Sequence, residues 1–252
     1  MWNLFYYKKN SIPLVFVHGV GLNNQMWNEQ VNYLNDFSIL TYDLIGHGKT
    51  PCKKDKLTLK DFSNQLLEIL DFLKLDKINL VGFSLGSLVA LDFSSRYQKK
   101  LEKLILIGTT YKRSNQERSL VLDRYNQAKY NKPISKQALK RWFSNKYLEE
   151  HPKTHELFIN ILNKNPEDHK NFIKAYELFA NHYDDISSIR KINTKTLVMT
   201  GSDDVGSTPE MSKELVKDLV NSTYIEIQNG KHLCSIECSD DVNINIKNFI
   251  NN

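Results

Sequence analysis

The chain reads as an α/β protein with a mostly parallel central sheet, helices on its faces and a helical insertion. Three observations predict this. Short apolar runs recur at Leu14-Val15-Phe16-Val17, Ile78-Asn79-Leu80-Val81, Leu104-Ile105-Leu106-Ile107 and Thr196-Leu197-Val198-Met199-Thr200, as buried strands require. Stretches of helical period separate the early strands, and that alternation implies right-handed crossovers between parallel neighbours. From residue 111 to 192 helical stretches rich in Lys, Asn and aromatics replace the strands, and the strand pattern then resumes. Residues 1–110 and 193–252 are therefore expected to form one core, with 111–192 as a helical cap inserted into it rather than a separate domain.

The elements follow in order. Leu4 to Tyr7 suits a short edge strand, and Leu14 to Val17 a buried one. The second strand runs into His18-Gly19-Val20-Gly21. A dinucleotide fingerprint would need a third glycine at position 24, which is Asn24, so that reading fails. Met26 to Leu34 reads as a helix and Phe37 to Tyr42 as a strand, which ends in the glycine-rich turn Asp43-Leu44-Ile45-Gly46-His47-Gly48. His18 and His47 in these loops read as structural. Thr58-x-x-Asp61 is a capping signal ahead of the stripe Phe62, Leu66, Ile69, Leu70, Leu73. Strand Ile78 to Phe83 leads through Gly82-x-Ser84-x-Gly86 into a helix from Leu85 to Tyr97, and Leu104 to Ile107 is the next strand. The cap helices fall at Leu120–Lys129, Lys136–Phe143, His155–Leu162 and Glu167–Ala180. Beyond the cap come strand Thr196–Thr200, helix Pro209–Val220 capped by Thr208, strand Thr223–Ile227 and a closing helix Asp240–Ile250.

Composition excludes several function classes. With 252 residues, 40% of them hydrophobic and 25% charged, the chain can bury a substantial core. No apolar run approaches the roughly 18 residues of a membrane helix. The start, Met1 to Lys9, lacks a basic head followed by an apolar stretch, so no secretory leader is expected. Cys52, Cys234 and Cys238 make neither an even disulfide framework nor a paired zinc motif; no metal is expected, and reduced thiols point to the cytoplasm. The net charge of +5 is uneven: residues 111–195 hold 17 Lys and Arg against 10 Asp and Glu. That surplus is either a solvated surface or an attractor for an anionic substrate or acidic partner. The basic residues are scattered rather than interleaved with aromatics, so nucleic acid is not expected.

Gly82-x-Ser84-x-Gly86 carries the chemistry. Between a strand and a helix, small residues on both sides of a serine allow a turn tight enough to expose its Oγ at the carboxyl edge of the sheet. A serine hydroxyl is a weak nucleophile and needs a base, which in turn needs an orienting acid. Both are sought in loops at later strand ends. Gly201-Ser202-Asp203-Asp204 follows one strand and Gly230-Lys231-His232 the next. His232 is the candidate base, while His151, His155, His169 and His182 in the cap read as surface groups. Asp204 is preferred over Asp203 as the acid. The loop after the earlier strand, Gly108-Thr109-Thr110-Tyr111, has no carboxylate to compete. The backbone N–H groups of Val20 and Leu85 are the candidate oxyanion donors. Acyl transfer of this kind calls for no cofactor, and a small ester or lactone is the expected substrate.

On these residues the chain resembles the α/β-hydrolase superfamily: His18-Gly19-Val20-Gly21, Asp43-x-x-Gly46-x-Gly48-x-Thr50, Gly82-x-Ser84-x-Gly86, and the Asp204 and His232 loops. The resemblance implies a triad of Ser84, Asp204 and His232 with Val20 and Leu85 as oxyanion donors. It is closer still to 3-oxoadipate enol-lactonase-like hydrolases and carboxylesterases, through Arg141-Trp142-Phe143 and Gly201-x-x-Asp204-x-Gly206-Ser207-Thr208-Pro209. That likeness implies an anionic lactone or ester, with Arg141 and Trp142 as candidate substrate contacts; otherwise Arg141 is a surface cation and Trp142 packs the cap. Ser87 departs from the family, where a second glycine is common, and the family's usual first strand is expected to be missing. An acidic acyl-carrier protein is a further candidate partner. Rival readings are a C–C bond hydrolase on the same triad and a ligand-sensing protein of the same fold with little turnover.

Overall fold

The computed structural model describes residues 2–130 and 135–252. Its elements are β1 (Leu4–Tyr7), β2 (Leu14–Val17), α1 (Asn28–Tyr33), β3 (Ile39–Tyr42), α2 (Leu59–Phe72), β4 (Ile78–Phe83), α3 (Leu85–Tyr97) and β5 (Leu101–Ile107). The helices α4 (Asn115–Lys129), α5 (Ser135–Trp142), α6 (Asn145–Glu150), α7 (Pro152–Leu162), α8 (Pro166–Ala180) and α9 (Ile186–Ile189) follow. The chain closes with β6 (Lys195–Gly201), α10 (Pro209–Asp218), β7 (Ser222–Ile227), α11 (Cys234–Glu237) and α12 (Ser239–Asn251). The expected insertion includes residues 131–134, which lie outside the described residues. Among those described, no helix is long and apolar enough to cross a membrane.

The strands form one sheet in the order β1-β3-β2-β4-β5-β6-β7. Only β1 runs antiparallel to its neighbour; the other pairs are parallel. Alternate residues of the central strands serve opposite faces. Val15, Val17, Leu80, Leu104, Leu106 and Val198 pack on the side of α2 and α3. Phe16, Val81, Phe83, Ile105, Leu197 and Met199 pack on the side of Trp27, Val242 and Ile246. Both faces are covered, which is why these strands read as continuous apolar runs rather than alternating ones.

Several boundaries differ from expectation for local reasons. The helix expected over 26–34 is a 3-10 turn, Asn24–Trp27, followed by α1. The turn is capped by the Asn23 side chain, which accepts from the Gln25 N–H at 3.0 Å. Strand β3 starts at Ile39, because the Ser38 side chain and backbone are taken up by Lys9 and Ser11. Strand β5 begins at Leu101, where polar Glu102 and Lys103 hide its start. Helices α6, α9 and α11 are too short to show a period, and none was expected. Helix α2 starts at a full capping box between Thr58 and Asp61, as the sequence indicates.

The strand order reverses between β2 and β4, since β3 lies to one side of β2 and β4 to the other. A crevice opens at such a switch point, outside the carboxyl ends of the strands. Here the first turn of α3 is pressed against β2. A Cβ on Gly86 would lie 2.1 Å from the Val17 carbonyl oxygen, and one on Gly82 would lie 2.4 Å from the Gly86 carbonyl oxygen. Neither obstacle is a movable side chain. Gly86→Ala is therefore expected to lower unfolding free energy by at least ~3 kcal/mol in urea titration, above the usual overpacking cost. Gly206→Ala, whose added methyl would meet nothing nearer than 3.5 Å, should leave the midpoint almost unchanged.

Candidate active site

Ser84 sits at the top of the β4–α3 turn with φ 52° and ψ −114°. A non-glycine residue held at positive φ carries strain of about 1–3 kcal/mol, sustained only where the surroundings over-determine it. They do so here: the Ser84 N–H donates to the Ile107 carbonyl at 3.0 Å, and the two close-packed glycines fix both sides of the turn. Ser87 fits at the start of α3 because its hydroxyl donates to the Gly82 carbonyl at 2.7 Å.

His232 lies on the loop after β7. Its Nδ1 is 2.6 Å from Asp204 Oδ2 and its Nε2 is 3.2 Å from Ser84 Oγ. An ionised carboxylate only accepts, so Nδ1 carries the proton and Nε2 is left to accept from the serine. Asp204 is held by its other oxygen, which takes the N–H groups of Gly206 and Ser207 at 2.8 and 2.9 Å. Its side chain is 1% exposed. Asp203 instead accepts from the Ser202 hydroxyl at the surface, away from the imidazole. Phe83 packs on the His232 ring, with centroids 4.9 Å apart. Gly108, at φ +57°, leaves room beside it, since a Cβ there would come within 3.4 Å of the imidazole.

The segment Gly19–Leu22 is a tight turn beside Ser84. Leu22 N–H donates to the Gly19 carbonyl at 3.2 Å, and Gly21 takes φ +79°. Val20 lines the same cavity as Ser84 and His232. Leu85 is the first residue of α3, so its N–H has no intrahelical acceptor. His18 anchors the turn from below. Its Nδ1–H donates to the Gly19 carbonyl at 2.8 Å and its Nε2 accepts from Leu44 N–H at 3.0 Å. These two bonds need the neutral ring, and burial holds the His18 pKa down to about 4. Burial likewise keeps His47 well below its ordinary range. Both histidines are structural, as expected. Asp43 ties the neighbouring loops together by accepting from the backbone N–H of Asn24 and Lys49 at 2.8 and 2.9 Å.

Helices between β5 and β6 roof the cavity. Arg124 (α4), Arg141 and Trp142 (α5) and Tyr176 (α8) reach its wall. Arg141 and Trp142 are half-buried at the cavity rather than on open surface. Burial, and then the charge of Arg124, press the Arg141 pKa below its ordinary value, while Tyr176 opposes them. Arg124 and Tyr176 were not singled out from sequence. Nothing in a charged helix such as α4 marks which of its cations turns inward. His169 and His182 also correct an expectation: they are part-buried contacts, to the Ala128 carbonyl at 2.9 Å and to Asp184 at 3.4 Å, rather than surface groups. His151 and His155 are exposed.

Residues 12–237 match the family described as the alpha/beta hydrolase fold. The chain belongs to this family. It is 28% identical over 236 residues to an (E)-2-((N-methylformamido)methylene)succinate hydrolase of Acinetobacter baylyi, spanning 92% of this chain and 87% of that one. It is 22% identical over 225 residues to 3-oxoadipate enol-lactonase 2 of the same organism, spanning 89% and 83%. Among solved structures, the enol-lactonase of Burkholderia xenovorans LB400 superposes with a TM-score of 0.90 at 23% identity, covering 100% of this chain and 96% of that one. This α/β hydrolase thus shares its whole architecture with hydrolases of known structure.

The contacts of the two adjacent aspartates separate them. Asp204→Asn replaces the acceptor for Nδ1–H and favours the wrong tautomer, so kcat for an ester should fall by about 10⁴. Asp203→Asn should stay within about twofold of the parent, as surface substitutions do. Steady-state kinetics of both variants checks the ranking, and a larger loss at residue 203 would reverse the assignment.

Proposed function

We propose that this α/β hydrolase cleaves a carboxylic ester or lactone through an acyl-enzyme on Ser84. The observation that carries the reading is the continuous hydrogen-bonded line from Ser84 Oγ through His232 to Asp204, at 3.2 and 2.6 Å. In the first step Ser84 Oγ attacks the carbonyl carbon while His232 Nε2 takes its proton. Asp204 keeps the ring in the reactive tautomer and stabilises the imidazolium. The N–H groups of Val20 and Leu85 receive the oxyanion, and each such donor is worth about 10²–10³ in rate. The imidazolium then protonates the leaving alcohol, or the ring oxygen of a lactone, which stays attached. Water attacks the acyl-enzyme with His232 as base and frees Ser84.

The cavity wall favours an anionic substrate. Arg124 and Arg141 face it, and Arg141 is half-buried beside the like charge of Arg124. A guanidinium in that state gains a strong bidentate partner when a substrate carboxylate arrives. The substrates for which the relatives are named, a succinate derivative and an oxoadipate enol-lactone, are of that chemical kind. An acidic acyl-carrier protein is a second partner suited to the basic surplus of residues 111–195. The free cysteines fit a reducing compartment, and we place the reaction in the cytoplasm.

Two measurements test this. Turnover of p-nitrophenyl acetate should fall by about 10⁵ or more in Ser84→Ala, as when a triad nucleophile is removed. Equal slow turnover by parent and variant would leave a ligand-sensing protein. Arg124→Met and Arg141→Met should each raise KM about tenfold or more for a dicarboxylate monoester, matching 1.5–3 kcal/mol for a charged hydrogen bond. KM for a neutral ester should barely change, and added salt should weaken the anionic substrate more than the neutral one.

A further inference from the structure

Lys164 lies between α7 and α8, outside the triad and the arginine wall, yet it reaches the turn that carries Val20. Its Nζ donates to the Gly21 carbonyl at 2.9 Å and to the Ile161 carbonyl, also at 2.9 Å. The second acceptor belongs to the last turn of α7, where the helix dipole favours a cation. The first belongs to the Gly19–Leu22 turn. The ammonium also sits 5.5 Å from the centre of the Phe172 ring. Phe172 in turn packs where a Cβ on Gly21 would stand, at 3.1 Å. The turn is thus gripped from both sides. His18 holds its first carbonyl from the core, and Lys164 holds its third residue from the cap.

We propose that Lys164 is a positioning residue that seats the oxyanion turn against the cap and so aims the Val20 N–H at the reacting carbonyl. The inference rests on the serine-hydrolase reading above, because only an oxyanion gives that N–H a task. The charge of the ammonium strengthens both of its bonds relative to a neutral amine. Burial makes that charge easy to lose, with the Lys164 pKa lowered to about 8 despite Asp168 and Asp43 nearby. His18 and His47 face the same pocket of charge from the core and stay neutral, so Lys164 is the group there that titrates in the mildly alkaline range.

The sign of the stability effect separates a positioning role from a merely structural one. A lysine with a lowered folded pKa binds fewer protons folded than unfolded between about pH 8 and the ordinary lysine value of 10.5. Its contribution to stability therefore rises with pH across that window. Positioning by the charged form weakens across the same window. Turnover and stability are expected to move in opposite directions.

The experiment uses the full chain, with p-nitrophenyl acetate as substrate and phenylboronic acid as a probe of the oxyanion site. Lys164→Met should lower kcat about tenfold with KM within twofold, less than the 10²–10³ for deleting an oxyanion donor outright. It should weaken phenylboronic acid by a similar factor. In the parent, kcat should decline above about pH 8 while the melting temperature relative to Lys164→Met rises. Lys164→Arg should keep most of the kcat and lose the alkaline decline, since a guanidinium does not deprotonate. Should Lys164→Met not fold, the Lys164→Arg profile decides alone. Unchanged kcat in a folded Lys164→Met, a loss confined to KM, or the same alkaline limb in Lys164→Arg would overturn the proposal. Normal turnover by Ser84→Ala with no boronate binding by the parent would instead remove the serine-hydrolase reading, and this one with it.

Discussion

The contact between the first turn of α3 and the end of β2 sets the geometry of everything above the sheet. Only glycine at 86 lets the helix backbone lie against the carbonyls of Val17 and His18, and only glycine at 82 lets the helix fold back over its own strand. That approach brings Ser84 and the Gly19–Leu22 turn, which are far apart in sequence, to the same point. It also explains the φ of 52° at Ser84. The serine has no freedom to relax, because its N–H is bonded to the adjacent strand and the glycines two residues to either side are packed on backbone. Strain at the serine is thus the local consequence of a packing arrangement that stabilises the rest of the sheet.

Charge around the cavity is distributed by residue type. Histidine appears where a buried group must stay neutral: His18 both donates and accepts, which the imidazolium cannot do. Arginine appears where positive charge must persist, since burial cannot neutralise it. Lysine appears where a cation bridges two carbonyls at the edge of the cap. Among the described residues Asp204 is the carboxylate brought to the imidazole, and two backbone N–H groups occupy its second oxygen. A negative charge at that depth needs these bonds, because an unpaired buried carboxylate would cost several kcal/mol.

Much of this was legible in the chain. Strands buried on both faces leave continuous apolar runs, and the sheet was read from them. That Ser84, Asp204 and His232 meet was legible because each falls in a short loop directly after such a strand, and loops at those ends converge. The wall of the cavity was not. Arg124 lies on α4, where Glu117, Arg118, Asp123, Arg124 and Lys129 put charge on several faces, so periodicity does not mark the inward one. Lys164 sits in a polar connection, Asn163-Lys164-Asn165, and nothing local distinguishes it from a solvated lysine. Its role depends on contact with residues 143 positions away. Arg141 was found only because a resemblance drew notice to it. Local sequence reports which face a residue takes when hydrophobicity decides the matter, and these residues are placed by tertiary contacts instead.

The roof is not free to move apart from the residues beneath it. The Leu233 N–H, next to His232, donates to the Trp142 carbonyl at 3.0 Å, and Lys231 Nζ reaches the Lys140 carbonyl at 3.0 Å. Glu237 accepts from the Ser144 N–H at 3.0 Å, fixing the chain just past α5 to helix α11, which follows that loop. The first two bonds satisfy the carbonyls of Lys140 and Trp142 in the last turn of α5, which have no partner within the helix. Lifting α5 would expose those carbonyls and strip the histidine loop of its acceptors together. The cost of the first is then added to the loss of the second, so a seated roof and an aligned imidazole are favoured as one state. Helix α5 also carries Arg141 into the cavity. The element that brings Arg141 to the cavity wall is therefore the same one that holds the loop bearing His232.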